Sequence, residues 1–313
     1  AVAAGVRPGD RVALLALNSS TYVELLWAIA RVGAISVPMN IRLNPKEVAA
    51  NLRDCSPVAI ITDAALVASA DAACALAEVP SRWIIGGDAP GWRPLADLTA
   101  GIEESHATDA AAFADQVDGE ATGTLLYTSG TTGAAKGCAL AQRTWPHYAL
   151  NIASAMHLDR DDVYLALLPY FHIAGLGMVM SQLILGGTVV TQSMPDPSRM
   201  HALIEEHDVT VVFVVPGISA PFVEHPLARP SSVRLVISGA GLERRDIPSL
   251  VRSRLGATCM GIYGQTEAGT YLTWATEEQL AADPETYGYV MPAMAYRIVT
   301  EAVKRDKQLM NET

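Results

Sequence analysis

Short β-branched apolar runs alternate along almost the whole chain with segments whose apolar residues recur at helical spacing. Arg11–Ala16 is the first such run and predicts a strand. Ser20–Arg31 predicts a helix, capped by Ser19 or Ser20 and stopped by Gly33. Ile35–Val37 predicts a short strand ended by Pro38. In the next helix Asn44 caps and Pro45 takes the first helical position. Val58–Thr62 has the β-branched character of a buried parallel strand. An alanine-rich helix to about Leu76 and a strand at Trp83–Ile85 follow. Residues from about 86 to 120 carry no firm period and predict a connection or a small subdomain boundary. The rhythm then resumes, with strands near Gly123–Thr128, Asp162–Leu168, Thr188–Thr191, Thr210–Val215, Val233–Ser238 and Thr258–Ile262. Helices fill most of the gaps, notably Pro197–His207 and Glu243–Leu255. Such alternation predicts an α/β fold of parallel sheets covered by helices.

The run Ile173–Val190 is almost wholly apolar and nearly long enough to span a bilayer. Gly175, Gly177 and the Gly186-Gly187 pair interrupt it, which predicts a buried helix, a glycine turn and a buried strand instead of a span. Composition agrees with a folded globular enzyme: of 313 residues, 50% are hydrophobic and 18% charged. A net charge of −11 argues against a general nucleic-acid binder, which needs a basic surface. It leaves room for a local cradle that binds a small anion. Cys55, Cys74, Cys138 and Cys259 are widely spaced, so a reducing cytoplasm fits better than a disulfide framework or a structural zinc site. The first residues lack the charged and apolar regions of a signal peptide.

The segment from Tyr127 to Gly137 concentrates chemistry. Thr128, Ser129, Thr131 and Thr132 supply hydroxyls, Gly130, Gly133 and Gly137 permit tight turns, and Lys136 supplies a positive charge. At the end of an apolar strand, these groups suit a phosphate cradle. A flexible polar surface loop is the plainer alternative. The segment is not a Walker A loop, because Lys136 is followed by Gly137 and not by Ser or Thr.

This loop resembles the signature of the adenylate-forming superfamily, which includes acyl- and aryl-CoA synthetases, luciferases and peptide-synthetase adenylation domains. Ala135 stands where that family usually has proline. Three further segments match in the expected order. In the segment Leu168–Leu176, the resemblance implies that His172 faces the carboxylate substrate; alone it would read as a core histidine. Gly239, Ala240 and Gly241 resemble the family's small-residue run against adenine, with Gly241 where proline is usual. Taken alone, that run could equally be a strand-to-helix turn. The third segment, Tyr263-Gly264-Gln265-Thr266-Glu267, resembles the Tyr-Gly-x-Thr-Glu motif. There Tyr263 offers a face for adenine, Thr266 a donor for the α-phosphate and Glu267 a hard oxygen ligand for Mg²⁺. A lone Thr-Glu would more often cap a helix.

The resemblance implies two helix-covered, mainly parallel sheets packed together in a large N-terminal domain. We expect a first lobe over residues 1–118, a second with the nucleotide motifs over 119–301, and a tail of unknown role over 302–313. It implies ATP, Mg²⁺ and CoA as cofactors or co-substrates, with Thr266, Glu267 and Lys136 as catalytic groups. His172, Ile173, Val214, Val215 and Gly264 are candidate walls for a fatty or aryl acid, because no aspartate follows Phe171 to pair with an amino acid's ammonium. The likeness stops near Glu301, before the family's ribose-binding aspartate, hinge and small C-terminal domain with its lysine. Weak turnover by these 313 residues alone is therefore expected. A carrier-protein-loading domain and a non-catalytic acyl- or nucleotide-binding module are the alternatives.

Overall fold

The computed structural model describes residues 5–98, 100, 117–128, 135–225, 230–239, 241, 244–283 and 285–294. The expected tail 302–313 and most of the connection before residue 117 lie outside the described residues.

The first sheet holds β1 (Arg11–Leu15), β2 (Ile35–Pro38), β3 (Ala59–Asp63), β4 (Ser81–Ile85), β5 (Arg93–Pro94), β6 (Thr122–Thr128) and β7 (Lys136–Ala141). Its spatial order is β5-β4-β3-β1-β2-β6-β7, parallel except for the β6–β7 hairpin. The second sheet holds β8 (Val163–Ala166), β9 (Thr188–Thr191), β10 (Val211–Val214), β11 (Leu235–Gly239), β12 (Thr258–Gln265), β13 (Thr270–Ala275) and β14 (Tyr289–Val290). Its order is β14-β13-β12-β11-β10-β8-β9, parallel from β12 to β9 and antiparallel at the other edge. β6 and β7 complete the first sheet, so the chain crosses to the second between residues 141 and 163.

Alternating side chains on the central strands separate three apolar layers. Val12 and Leu14 of β1 join Phe213 of β10 and Ile237 of β11 in the middle layer, with helices α1 (Ser20–Arg31), α4 (Thr144–Met156) and α5 (Ile173–Ile184). Ala13 and Leu15 face outward onto α2 (Pro45–Cys55) and α3 (Val67–Cys74). On the other side, Val212 and Val214 face α6 (Pro197–His207), α7 (Ser219–Glu224) and α8 (Ile247–Leu250). The central strands are therefore apolar on both faces, as parallel strands covered on both sides must be.

The expected helix Glu243–Leu255 is corrected: α8 begins at Ile247 and passes into a π turn over Val251–Leu255, while residues 242 and 243 lie outside the described residues. Pro248 falls in its first turn, where a missing N–H costs no helical bond. The apolar run Ile173–Val190 folds as expected into the buried helix α5 and a glycine turn, but β9 is an edge strand, exposed at Thr188 and half-buried beyond it, and not the buried strand expected; no helix among the described residues is long and apolar enough to cross a membrane.

α2 shows why its start was legible. The Asn44 side chain accepts from the N–H groups of Lys46 and Glu47, and the Glu47 carboxylate accepts from the Asn44 N–H. This reciprocal cap satisfies donors the helix cannot. Asn44→Ala is expected to lower unfolding free energy by about 1 kcal/mol in urea titrations, with no change in slope.

Candidate active site

The β6–β7 hairpin ends at the Cα pair Thr128–Lys136. Ser129, Gly130, Thr131, Thr132 and Gly133, expected to hold phosphate, lie outside the described residues. Both stems of that loop are described. At the β6 stem, the Tyr127 hydroxyl donates to Asp54 Oδ2 at 2.6 Å and contacts the Asn51 carbonyl at 3.2 Å. Burial first, and then the Asp54 carboxylate, push the Tyr127 phenol well above its ordinary value, so it stays a donor. This bond pins the loop's base to α2. Tyr127→Phe is expected to raise the ATP concentration needed for half-saturation by roughly 10-fold, since a hydrogen bond to a charged group contributes about 1.5–3 kcal/mol. An ATP titration at saturating acid measures it.

The hairpin reaches the second sheet at the Thr-Glu turn. β12 ends at Gln265, and Thr266–Ala268 form a single 3₁₀ turn closed by Gly269 at φ 66°. The Cys138 thiol of β7 donates to the Thr266 carbonyl at 3.5 Å, and Thr128 Oγ1 donates to Glu267 Oε1 at 3.4 Å. The β6–β7 hairpin of the first sheet thus meets the acidic turn of the second. Glu267 is exposed and forms no ion pair among the described residues. No cluster of three or more His, Cys, Asp or Glu side chains suited to a metal occurs among them either. A single solvent-facing carboxylate beside the stem of the loop expected to hold phosphate fits Mg²⁺, which takes few protein ligands and completes its shell with phosphate oxygens and water.

Beyond this turn, a pocket of about 420 Å³ opens at the C-terminal ends of β11 and β12. Gly239, Gly241 and Tyr263, expected to hold a nucleotide base, line it together with Gly264, expected as a wall for the acid; Ala240 lies outside the described residues. Gly239 pairs with Ile262, and a Cβ there would come within 2.6 Å of the Ile262 side chain and 2.9 Å of its carbonyl. A larger residue would push the strands apart. Tyr263 is 39% exposed and meets the edge of Tyr287, which is 63% exposed, with ring centroids 4.8 Å apart. Tyr287, Arg244 and Arg245 also line the pocket and were not expected there. The Arg-Arg pair soon after the glycine run was a visible hint of a charged rim, where Arg244 bonds to Glu224 and Asp246; Tyr287 carried no such signal.

His172 caps α5, with Nδ1 accepting from the Ala174 N–H at 3.2 Å. Desolvation first, and then the nearby Arg42 charge, lower its pKa, which keeps the imidazole neutral. With Nδ1 accepting, Nε2 carries the proton. The preceding loop is held from the end of β1. Asn18, buried beyond β1, donates to the Leu168 carbonyl at 2.9 Å and accepts from the Tyr170 N–H at 3.0 Å. Ile173 is buried in the middle layer and Val215 packs against it. Val214 is a correction: strand alternation turns it to the outer helices, fully buried, so it is a core residue and not a pocket wall.

The model of the AMP-binding enzyme family matches residues 2–308. The chain is 35% identical to feruloyl-CoA synthase of Amycolatopsis over 272 residues, which are 85% of this chain and 51% of that protein. It is 32% identical to indoleacetate–CoA ligase of Aromatoleum aromaticum over 308 residues, 95% of this chain and 58% of that protein. A solved fatty acyl CoA synthetase of Mycobacterium tuberculosis superposes with a TM-score of 0.81 at 25% identity, covering 96% of this chain and 58% of that one. The N-terminal domain of FACL13 from the same organism, solved with an inhibitor, gives a TM-score of 0.81 at 26% identity, covering 93% of this chain and 71% of that one. The chain spans between half and three fifths of these curated relatives' length.

Proposed function

Because the chain belongs to the AMP-binding enzyme family, we propose that it carries the nucleotide- and acid-binding part of an ATP-dependent acid–CoA ligase. In the first half-reaction a carboxylate oxygen attacks the α-phosphorus of ATP. The bond between the α-phosphorus and the bridging oxygen breaks, and pyrophosphate leaves. In the second, the sulfur of CoA attacks the acyl carbon, AMP leaves and the thiol proton goes to solvent. The observation that carries this proposal is the Thr128–Glu267 contact, which sets the β6–β7 hairpin beside the acidic turn that follows Tyr263 and Gly264, two residues of the pocket lining.

Each residue has a role in the proposal. Thr128, Ser129, Gly130, Thr131, Thr132, Gly133 and Lys136 hold the β- and γ-phosphates. Gly239, Ala240, Gly241 and Tyr263 hold the adenine, and Thr266 donates to the α-phosphate. Glu267 would hold Mg²⁺, which when bound offsets the negative charge that builds on the phosphate oxygens. The Nε2–H of His172 orients the incoming carboxylate, and Ile173, Val215 and Gly264 flank the acid. Such catalysis depends mainly on positioning and charge stabilisation. All four cysteines are thiols, which supports a reducing cytoplasm as the place of action.

Incubating the longest natural form with MgATP, CoA and a panel of fatty, aryl and amino acids tests this. AMP and an acyl-CoA thioester are expected from at least one acid class. ADP as the nucleotide product, or consumption of ATP indifferent to acid, would overturn the proposal. Transfer to a carrier phosphopantetheine in preference to free CoA would overturn the choice of acceptor alone.

A further inference from the structure

Behind the first turns of α5 the middle layer is closed by aromatic rings. Tyr148 of α4 and Tyr271 of β13 pack with ring centroids 5.2 Å apart, and Phe213 of β10 meets Tyr271 edge-on at 6.0 Å. All three are buried. The Tyr271 hydroxyl lies 3.5 Å from the Ala174 carbonyl, two residues past the His172 cap. Tyr148 lies over Gly177, where a Cβ would come within 2.3 Å of Cζ and 2.6 Å of the hydroxyl oxygen. Ala174 and Gly177 are three residues apart and share one face of the helix. That face meets rings, where a channel for a chain would need open space. The glycine is what lets the Tyr148 ring sit flush against the helix backbone.

We propose that Tyr148 and Tyr271, admitted by Gly177, form the end wall of the acid pocket and restrict it to compact, ring-sized acids such as benzoic, phenylacetic or cinnamic types. The proposal rests on the reading that His172 faces the carboxylate. A long straight alkyl chain entering past His172 would have to displace both rings from a close-packed interior, and such interiors yield little. A flat ring stops in front of the wall and stacks against its edge. Tyr148 and Tyr271 are therefore specificity-determining residues for this site.

Acyl sulfamoyl adenosines, stable analogues of the adenylate, test the wall without requiring turnover. Calorimetric titration of this chain would compare benzoyl, cinnamoyl, octanoyl and palmitoyl analogues, with sulfamoyl adenosine as the acyl-free control. The best aryl analogue is expected to bind at least about 30-fold more tightly than the palmitoyl one, a margin within reach of apolar pocket discrimination. Tyr148→Ala should raise affinity for the octanoyl analogue relative to the benzoyl one, and Tyr148→Phe, which keeps the ring, should leave the ratio unchanged. Palmitoyl binding equal to or tighter than aryl binding in the wild type overturns the wall, whether or not Tyr148→Ala folds. If the acyl-free control binds but every acyl group weakens it, the acid pocket is elsewhere and the wall falls with it. Failure of the control itself to bind would instead strike at the nucleotide site.

Discussion

Glu267→Ala lowers carboxylate-dependent exchange of pyrophosphate into ATP by about 100- to 1000-fold, the loss usual when one preorganised group at a developing charge is removed. Melting temperature should stay within a degree or two, since Glu267 is exposed and its contact among the described residues is the long 3.4 Å bond from Thr128. The expected pattern is thus a chemical loss without a folding loss. Glu267→Gln separates charge from shape. It keeps an acceptor for Thr128 but offers the metal a neutral ligand, and should lose nearly as much activity as alanine. Raising Mg²⁺ should recover part of the Gln variant's rate if metal occupancy is what failed. Full activity in both variants would remove Glu267 from the metal role.

The largest effect on stability is expected at the opposite end of the second sheet. Asp162 lies just before β8, its side chain only 4% exposed. Arg234 Nε donates to Oδ1 at 2.7 Å and Arg234 Nη2 donates to Oδ2. Thr210 Oγ1 donates to Oδ1 at 2.7 Å, and the Asp159 N–H to Oδ2 at 3.1 Å. Thr210 and Arg234 precede β10 and β11, so one carboxylate ties three strands at their starts. Asp162→Ala is expected to cost roughly 3 kcal/mol, the low end for breaking a buried pair, because Arg234 is 41% exposed and can turn to water. The pH dependence has a definite sign. Burial alone would raise the Asp162 pKa, but the bonds from Arg234, Thr210 and the Asp159 backbone outweigh it and hold the pKa below the ordinary carboxylate value. Its stabilisation is therefore full above about pH 4, the unfolded value, and disappears as pH falls through the lower folded value. Urea titrations of wild type and Asp162→Ala should show a gap at neutral pH that narrows in acid. Equal stability at neutral pH would contradict this clamp.

Local signals made the caps and buried strands legible. Ser19 before α1, Asn44-Pro45 before α2 and the glycines after α5 each act within a few residues, and each element appears where the pattern put it. The antiparallel additions were hidden. Lys136–Ala141 contains no β-branched residue, and it is a strand because β6 offers it an edge to pair with. The start of α8 was missed because the apolar periodicity runs on past the polar stretch that includes Arg244, Arg245 and Asp246. At the site, motif chemistry named Gly239, Gly241, Tyr263 and Glu267, but not the 139-residue jump that brings Thr128 to Glu267. Val214 and Val215 could not be told apart without the register of β10, because one step along a strand exchanges the outer apolar layer for the middle one. The wall of Tyr148 against Gly177 joins two helices through a single missing side chain, and no local pattern announces it.

The central claim is acyl-adenylate formation at the junction of hairpin, acidic turn and pocket. Its most direct measurement is the exchange of labelled pyrophosphate into ATP by the longest natural form of the protein, with and without each acid of a mixed panel. The account predicts exchange that needs both Mg²⁺ and a carboxylic acid and is negligible when either is left out. Absence of exchange with every acid, in a protein shown to bind ATP, would contradict it.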